Sequence, residues 1–220
     1  ERSVQLSEVL DDPARRSFCL ASLGRTLLLM RSLQPAREVL ERAIEIGRTQ
    51  GFTWTTPLPE AFLGELEVLE GNLDEAKDLL DHSVAAAVQL NDSSFESFAC
   101  RAMGLLAAAR NEPDDAFRWL NRARARMIEA PDCEWTLAYS LDALANFSTQ
   151  MGDDDAPRWT DELEEIAARA GMREMLCRAL LYRYAAGNEG ALAEASVLAT
   201  SVDNPALHKL LDETRTVAIS

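Results

Sequence analysis

Several features that would place a protein in a special class are missing from this sequence. No stretch approaches the roughly 18 consecutive apolar residues of a membrane-spanning helix. Glycine and proline are scarce, with 10 and 8 residues among 220, while 47% of the residues are hydrophobic. This composition is typical of a folded protein with an ample core, not of a disordered chain. The length fits one large domain or a single elongated array.

The cysteines form no close-spaced pair. Cys19, Cys100, Cys133 and Cys177 stand far apart, so the short spacing of zinc and redox motifs is absent. We expect them to be small buried residues in a reducing cytoplasm, which predicts a cytoplasmic protein. No secretory leader is visible, but the chain starts at Glu1 without a methionine. We therefore expect it to be a piece of a longer protein.

Positive charge is also in short supply. The sequence has 22 basic and 37 acidic side chains, and its formal net charge is −15. Because contacts to nucleic-acid phosphates need clustered cations, we expect no direct nucleic-acid contact by this chain.

A repeat with a period of 40 residues runs through the sequence. Each of the first three copies has a glycine preceded by a large apolar residue, and an alanine twelve positions later. Leu144 takes the glycine position in the fourth copy, and a fifth, weaker copy follows at a shorter spacing. The glycines are Gly24, Gly64 and Gly104, and the alanines are Ala36, Ala76, Ala116 and Ala156.

Each copy is predicted to form two helices. An alanine- and leucine-rich run such as 59–69 is followed by a break, and then by apolar residues at helical spacing. No useful alternating strand pattern appears, so we predict an all-α fold. Five prolines fall at or near predicted first turns, where a missing amide hydrogen costs nothing: Pro13, Pro35, Pro113, Pro157 and Pro205.

The repeated glycines are expected to have a packing role. A glycine inside a helix costs about 1 kcal/mol relative to alanine, so a close helix crossing must offset that cost. We expect the small alanine twelve residues later to meet the glycine across the hairpin. Leu144 then predicts a wider crossing in the fourth copy.

Small residues at these two positions of a helical hairpin resemble the tetratricopeptide (TPR) repeat. The resemblance rests on Leu23-Gly24, Leu63-Gly64 and Met103-Gly104 with the alanines above, and it covers about residues 14 to 200. The period exceeds the ~34 residues of the standard repeat. The resemblance implies a right-handed superhelical solenoid of about five hairpins in a single array over 1–220. Its units are expected at about 14–51, 57–91, 95–130, 133–171 and 173–202, with a C-terminal helix at about 205–216.

The long period, the composition and the phrase Ala43-Ile44-Glu45-Ile46-Gly47 resemble one subgroup of these proteins. It comprises the sensor regions of large ATP-binding bacterial transcriptional regulators of the LuxR/MalT type and related signal-transduction ATPases. In those proteins a nucleotide-binding module precedes the repeats, and a DNA-binding helix-turn-helix often follows. This sequence has no G-x-x-x-x-G-K-[ST] loop, and its tail is too short for a DNA-reading domain.

Catalytic chemistry finds little support in the sequence. His82 and His208 are remote from each other and lack metal-ligand spacing. The acidic runs Asp11-Asp12, Asp114-Asp115 and Asp153-Asp154-Asp155 lie at predicted helix starts and indicate capping. We therefore predict no catalytic residue, no metal site and no cofactor.

Two further features have open interpretations. An arginine cluster (Arg118, Arg122, Arg124 and Arg126) is interpreted as a solvated helix face that pairs with acids, with an anion-binding patch as the alternative. Trp119 and Trp159 share a repeat phase with apolar residues, which predicts core positions. Trp54 lies outside that phase, and it either covers the hairpin edge or contacts a partner.

The TPR resemblance also implies a concave groove lined by the first helix of each hairpin. Its most informative residues form what we call the inner row: Phe18, Arg25, Glu65, Phe98, Arg101 and Leu105. Such a groove could hold an amphipathic helix, a small ligand or another subunit. In the alternative interpretation, the longer helices shift the register and these residues pack within the superhelix.

The resulting hypothesis is a non-enzymatic protein- or ligand-binding repeat domain, the sensor or scaffold part of a bacterial transcriptional regulator or signal-transduction ATPase. The expected partner is a protein or peptide, with a small-molecule effector and a homodimer as further options and no membrane contact. The alternatives are a general TPR scaffold without a regulatory parent and, third, an enzyme subunit.

Overall fold

The computed structural model describes Gln5 and residues 12–128 and 133–219, with side chains up to residue 216. Asp11, one half of a predicted capping pair, lies outside these residues. Within the described ranges the regular structure is α-helical apart from one 3-10 turn, so the predicted all-α fold is confirmed. The chain divides into two compact units, Glu1–Glu129 and Ala130–Ser220.

The first unit holds three helical hairpins. They are α1 (Pro13–Leu29) with α2 (Leu33–Thr49), α3 (Pro57–Glu70) with α4 (Leu73–Leu90), and α5 (Ser93–Ala109) with α6 (Pro113–Ile128). A 3-10 turn, Thr53–Thr55, lies between α2 and α3. Successive first helices pack on each other, α1 on α3 and α3 on α5.

The second unit holds two hairpins and a terminal helix. They are α7 (Glu134–Met151) with α8 (Ala156–Arg169), α9 (Arg173–Ala185) with α10 (Gly190–Ala199), and α11 (Pro205–Ile219). Here too a first helix, α9, packs on the preceding first helix, α7.

Local sequence explains where these helices begin. Pro13, Pro113 and Pro205 are first helical residues, and Pro157 is the second residue of α8, as predicted. Asp12 caps α1 by accepting a hydrogen bond from the Arg15 amide at 2.9 Å. At α8 the capping prediction is wrong, because Asp155 occupies the cap position without a side-chain hydrogen bond.

The repeated glycines do allow a close crossing, but the nearest neighbour of each is a leucine rather than the predicted alanine, although the backbone oxygen of Ala116 also lies near Gly104. A Cβ added at Gly64 would lie 2.6 Å from the Leu80 side chain, and one at Gly104 would lie 2.6 Å from Leu120. Leu40 lies over Gly24 in the same way. Each leucine stands one helical turn beyond the expected alanine, on the same face, and it fills the space that the missing side chain leaves.

Each hairpin of the first unit is also joined by one buried hydrogen bond at the same repeat position. A serine hydroxyl donates to a backbone carbonyl of the facing helix, but the donor changes sides in the second hairpin. The three bonds are Ser17 to Ala43 (3.0 Å), Ser83 to Pro57 (2.6 Å) and Ser97 to Ala123 (2.9 Å).

Candidate functional site

Helix α3 is enclosed on all sides. A helix on a protein surface buries one stripe, yet every residue from Pro57 to Glu67 is buried. The reason is that α1, α2, α4 and α5 all pack against it. The inner row belongs to α1, α3 and α5, so this enclosure decides how much of the row a partner can reach.

Aromatic rings close one end of the row. The Phe18 ring lies 5.6 Å from the Trp54 ring and 5.8 Å from the Phe95 ring, measured between centroids. Phe98 packs edge-on against Phe62 at 5.1 Å. Pairs of this geometry add to the stability gained from apolar burial. Phe18 keeps partial exposure, whereas Phe98 is buried.

An ion pair occupies the middle of the row. Arg101 on α5 donates to Glu65 on α3 at 2.7 Å. The two side chains are only 7% and 8% exposed. A charge-assisted hydrogen bond of this kind is strong, and the pairing offsets the cost of burying the two charges. The pair therefore links two successive first helices across the inner row.

The remaining row residues, Arg25 and Leu105, are half-buried. They share the repeat phase of Glu65, one copy earlier and one copy later. The structure thus divides the inner row into a buried part (Glu65, Phe98 and Arg101) and a half-exposed part (Phe18, Arg25 and Leu105).

A second cluster in the first unit was not predicted. The Glu60 carboxylate is fully buried on the first turns of α3. It accepts a hydrogen bond from Arg48 Nη2 at 2.9 Å, and its other oxygen lies 2.6 Å from His82 Nδ1. The available signal was a charge at a register position where the other copies have Leu20, Cys100 and Ser140.

The second unit holds its own partly buried polar network, in which Asp142 and Asn204 are buried. Tyr182 donates to Asp142 at 2.6 Å, and Arg178 lies 3.7 Å from the same carboxylate. Arg178 also pairs with Glu174, which accepts a further bond from Asn204. Burial raises the pKa of Tyr182 above its ordinary value, and the Asp142 charge adds to that rise. These contacts tie α7, α9 and the start of α11 together.

The other sequence-derived candidates have structural partners. His208 is exposed and lies 2.9 Å from the Val202 carbonyl oxygen. In the arginine cluster Arg118 pairs with Asp115, and Arg122 and Arg126 both pair with Glu96, so these three arginines pair with acids as predicted. Arg126 is half-buried rather than solvated. Trp159 is buried as predicted, while Trp119 is half-buried.

The part of the chain that is described contains neither a cluster of metal-ligand side chains nor a membrane-spanning helix. Residues 12–128 and 133–219 contain no group of three or more His, Cys, Asp or Glu side chains placed to hold an ion. No helix in those ranges is long and apolar enough to cross a bilayer.

Comparison with known proteins identifies the fold. No protein-family model and no curated protein matches the sequence. The crystal structure of Rap protein complexed with competence and sporulation factor is similar, with a TM-score of 0.76 and 17% sequence identity over 94% of this chain. This chain spans 59% of the length of that protein. At such low identity the similarity shows the fold alone, and the fold is a TPR-like helical repeat.

Proposed function

We propose that this chain is a non-enzymatic, protein- or peptide-binding helical-repeat domain that acts as the sensor or scaffold part of a larger regulator. The observation that carries the proposal is the stacked-hairpin fold, shared with a Rap protein that was crystallised with competence and sporulation factor. A fold by itself does not assign a function, so the proposal also needs a surface for the partner.

The half-exposed part of the inner row supplies that surface. Phe18 and Leu105 offer apolar contacts, and Arg25, on the same helix as Phe18, offers a cationic group. Behind them, Glu65, Phe98 and Arg101 hold α3 and α5 in place. An amphipathic helix with an acidic or amide group beside its apolar stripe matches this pattern.

Paired variants of the chain test the binding surface. Arg25→Glu combined with Leu105→Glu reverses one charge and adds another where the partner would sit. The matched control is Arg118→Glu, which changes an exposed arginine of α6 in the same unit. The double variant should lose the partners that the unmodified chain captures from its native host, and the control should keep them. Equal capture by both variants would contradict the inner row as the contact surface.

The regulatory parent is a separate part of the proposal. The 40-residue period and the Ala43-to-Gly47 phrase support a LuxR/MalT-type regulator or a signal-transduction ATPase, in the cytoplasm of a bacterium. Sequencing the complete reading frame tests this directly. An ATP-binding module or a helix-turn-helix in the same frame would support the regulator. A frame with neither would leave a general TPR scaffold.

A sensor domain should also respond to an effector. A ligand at about 100 times its dissociation constant adds about 2.7 kcal/mol to the stability of the folded state. Thermal unfolding against a metabolite panel should therefore reveal a small-molecule effector as a rise in Tm, and light scattering should show whether the partner is a second copy.

A further inference from the structure

A cavity beside the buried Glu60 carboxylate lies between three elements of the first unit. The last turn of α2 contributes Arg48, the 3-10 turn contributes Trp54, and α4 contributes His82, Ala86 and Leu90. The cavity volume is about 490 Å³, within the range of small-molecule sites. It is distinct from the inner row.

The cavity has an apolar wall. The Trp54 indole is 46% exposed and Leu90 is 42% exposed, and both line the cavity together with Ala86. The Phe18 ring packs against the Trp54 ring, with their centroids 5.6 Å apart. Trp54 is therefore held in position while part of its surface stays open, which is the usual form of an anchor for an aromatic or aliphatic group.

Another part of the lining carries the Arg48 guanidinium, which the buried Glu60 carboxylate holds in place. Glu60 is 0% exposed, and its two oxygens hold Arg48 Nη2 and His82 Nδ1. Within residues 12–128 and 133–219 no protein acceptor contacts Nε or Nη1 of Arg48, whose side chain is 61% exposed. A carboxylate with both oxygens engaged in the interior thus orients a guanidinium whose remaining donors are free for a ligand.

The charge of the lining selects the sign of that ligand. None of the described residues that line the cavity is acidic, in a chain with 37 acidic side chains. The arrangement is also particular to this hairpin. At the position of Arg48 the next two copies have Val88 and Ile128, so the repeat scaffold itself does not require the cation.

We propose that this cavity binds a carboxylate that carries an aromatic or aliphatic group. Arg48 holds the carboxylate, His82 forms the adjacent wall, and Trp54 and Leu90 hold the apolar group. Two sources supply this chemistry, a free small carboxylic acid and the C-terminal residue of a peptide. The site differs from the surface of the proposed function, because none of its lining residues belongs to the inner row, although Phe18 of that row contacts Trp54.

Titration with 3-phenylpropionate tests the site, followed by the NMR signal of the Trp54 indole N–H and by saturation transfer to the ligand. We expect a shift of that signal and a dissociation constant of about 1 mM or below. The neutral 3-phenylpropionamide and acetate, which lacks the apolar group, should each bind at least about tenfold more weakly. An amide that binds as tightly as the acid, or no binding of the acid at about 10 mM, would overturn the proposal.

Two pairs of variants test the contributions of Arg48 and of Trp54 to ligand binding separately. Arg48→Met should weaken binding of the acid by at least about tenfold, whereas Arg118→Met should leave it unchanged. Trp54→Ala keeps the Glu60 network and should weaken saturation transfer, whereas Trp135→Ala, which changes an indole of similar exposure elsewhere, should not. Thermal unfolding of each variant establishes that it is folded. Unchanged affinity in folded Arg48→Met or Trp54→Ala would refute the site.

Short peptides that end in phenylalanine distinguish the two sources. Tighter binding of the free-acid peptide than of 3-phenylpropionate, lost on C-terminal amidation, would identify a chain terminus as the ligand. Binding of 3-phenylpropionate without binding of either peptide would identify a free carboxylic acid. Failure to bind any of these acids would refute the cavity proposal and would leave the partner-capture result for the inner row unaffected.

Discussion

At three positions of the first unit, a glycine lets a leucine of the facing helix pack directly on backbone. This contact sets how closely the two helices of each hairpin approach, because a Cβ at Gly64 would already lie 2.6 Å from Leu80. Protein interiors are close-packed, so the leucine has little room to move aside.

The Gly64 position should therefore be intolerant of a larger side chain. Gly64→Leu should lower the free energy of unfolding by about 2 kcal/mol or more, because overpacking outweighs the gain in helix propensity. Arg124→Ala on α6 should change it by less than about 0.5 kcal/mol. Urea unfolding of the two variants measures both values, and equal midpoints would count against this packing.

In the fourth copy the larger side chain stands at the glycine position and the smaller one at the position of the facing leucine. Leu144 stands at the glycine position and Thr160 at the leucine position, and both are buried. Leu144→Gly and Thr160→Leu should each destabilise the protein, whereas the double variant should recover at least about 1 kcal/mol of the summed loss. Strictly additive losses in this double-mutant cycle would show that the two positions do not share one space.

Buried thiols predict a loss of stability at alkaline pH. Burial raises the pKa of Cys100 to about 12, against the opposing effect of the Arg122 charge. A thiol in the unfolded chain ionises near 8.5, so this stabilisation is complete below about pH 8.5 and is lost as the pH rises towards the folded-state pKa. Raising the pH from about 8 to about 10.5 should therefore lower the free energy of unfolding of the unmodified chain by about 2 kcal/mol more than that of Cys100→Ala.

Urea unfolding under reducing conditions at the two pH values measures this difference. Cys19→Ala, which removes a half-buried thiol of the same unit, is the control and should follow the unmodified chain. An identical loss of stability at alkaline pH in Cys100→Ala would show that the Cys100 thiol does not cause it.

At the scale of elements, α3 depends on its neighbours for its charged residues. Glu65 is paired by α5, Glu60 by α2 and α4, and Glu67 by Arg37 of α2. Glu67 is desolvated by burial, yet the hydrogen bonds from Arg37 and Asn72 lower its pKa below its ordinary value. An enclosed helix can thus keep three buried glutamates because each belongs to an ion pair.

Removing one partner of the row's ion pair should cost more than removing both. Arg101→Met removes the guanidinium that donates to the buried Glu65 carboxylate, and it should destabilise the protein by about 3 kcal/mol or more. The double variant Glu65→Leu with Arg101→Met should be less destabilised than Arg101→Met alone, by thermal unfolding at neutral pH. A double variant that is less stable than Arg101→Met would show that the ion pair itself stabilises the protein.

The sequence alone predicted the helices better than it predicted which residues pack against them. Helical periodicity and the Gly24, Gly64 and Gly104 spacing were sufficient for the all-α hairpins, because these signals are local. Periodicity gives the buried face of a helix but not the residue that meets it, so Leu80 was missed in favour of Ala76. Glu60 contacts Arg48, which lies 12 positions before it across the 3-10 turn, and His82, which lies 22 positions after it on α4. No repeat signal marks either contact. The inner row's role in binding stays a prediction.

At the scale of the whole molecule, the chain divides into two compact units, each with its own hairpins. In repeat arrays each hairpin contacts only its neighbours, so a local change need not destabilise every hairpin equally. The distribution of tryptophans allows each unit to be observed by itself, with Trp119 in the first and Trp159 in the second.

Single-tryptophan variants that keep either Trp119 or Trp159 should report different effects of one substitution. Gly64→Leu should lower the denaturant midpoint seen by Trp119 more than the midpoint seen by Trp159. Leu144→Gly, in the second unit, should do the reverse. The same shift at both reporters would show that the chain unfolds as a single cooperative unit.

The hydroxyl-to-carbonyl bond of each hairpin has a consequence for recombination of the repeat. A chimera that joins the first helix of the second hairpin to the second helix of the first would face Pro57 with Ala43, and neither carries a hydroxyl. The reciprocal chimera would set Ser17 against Ser83. Exchange of whole hairpins therefore keeps each of these bonds, whereas a breakpoint that pairs α3 with α2 would leave both buried carbonyls without this donor.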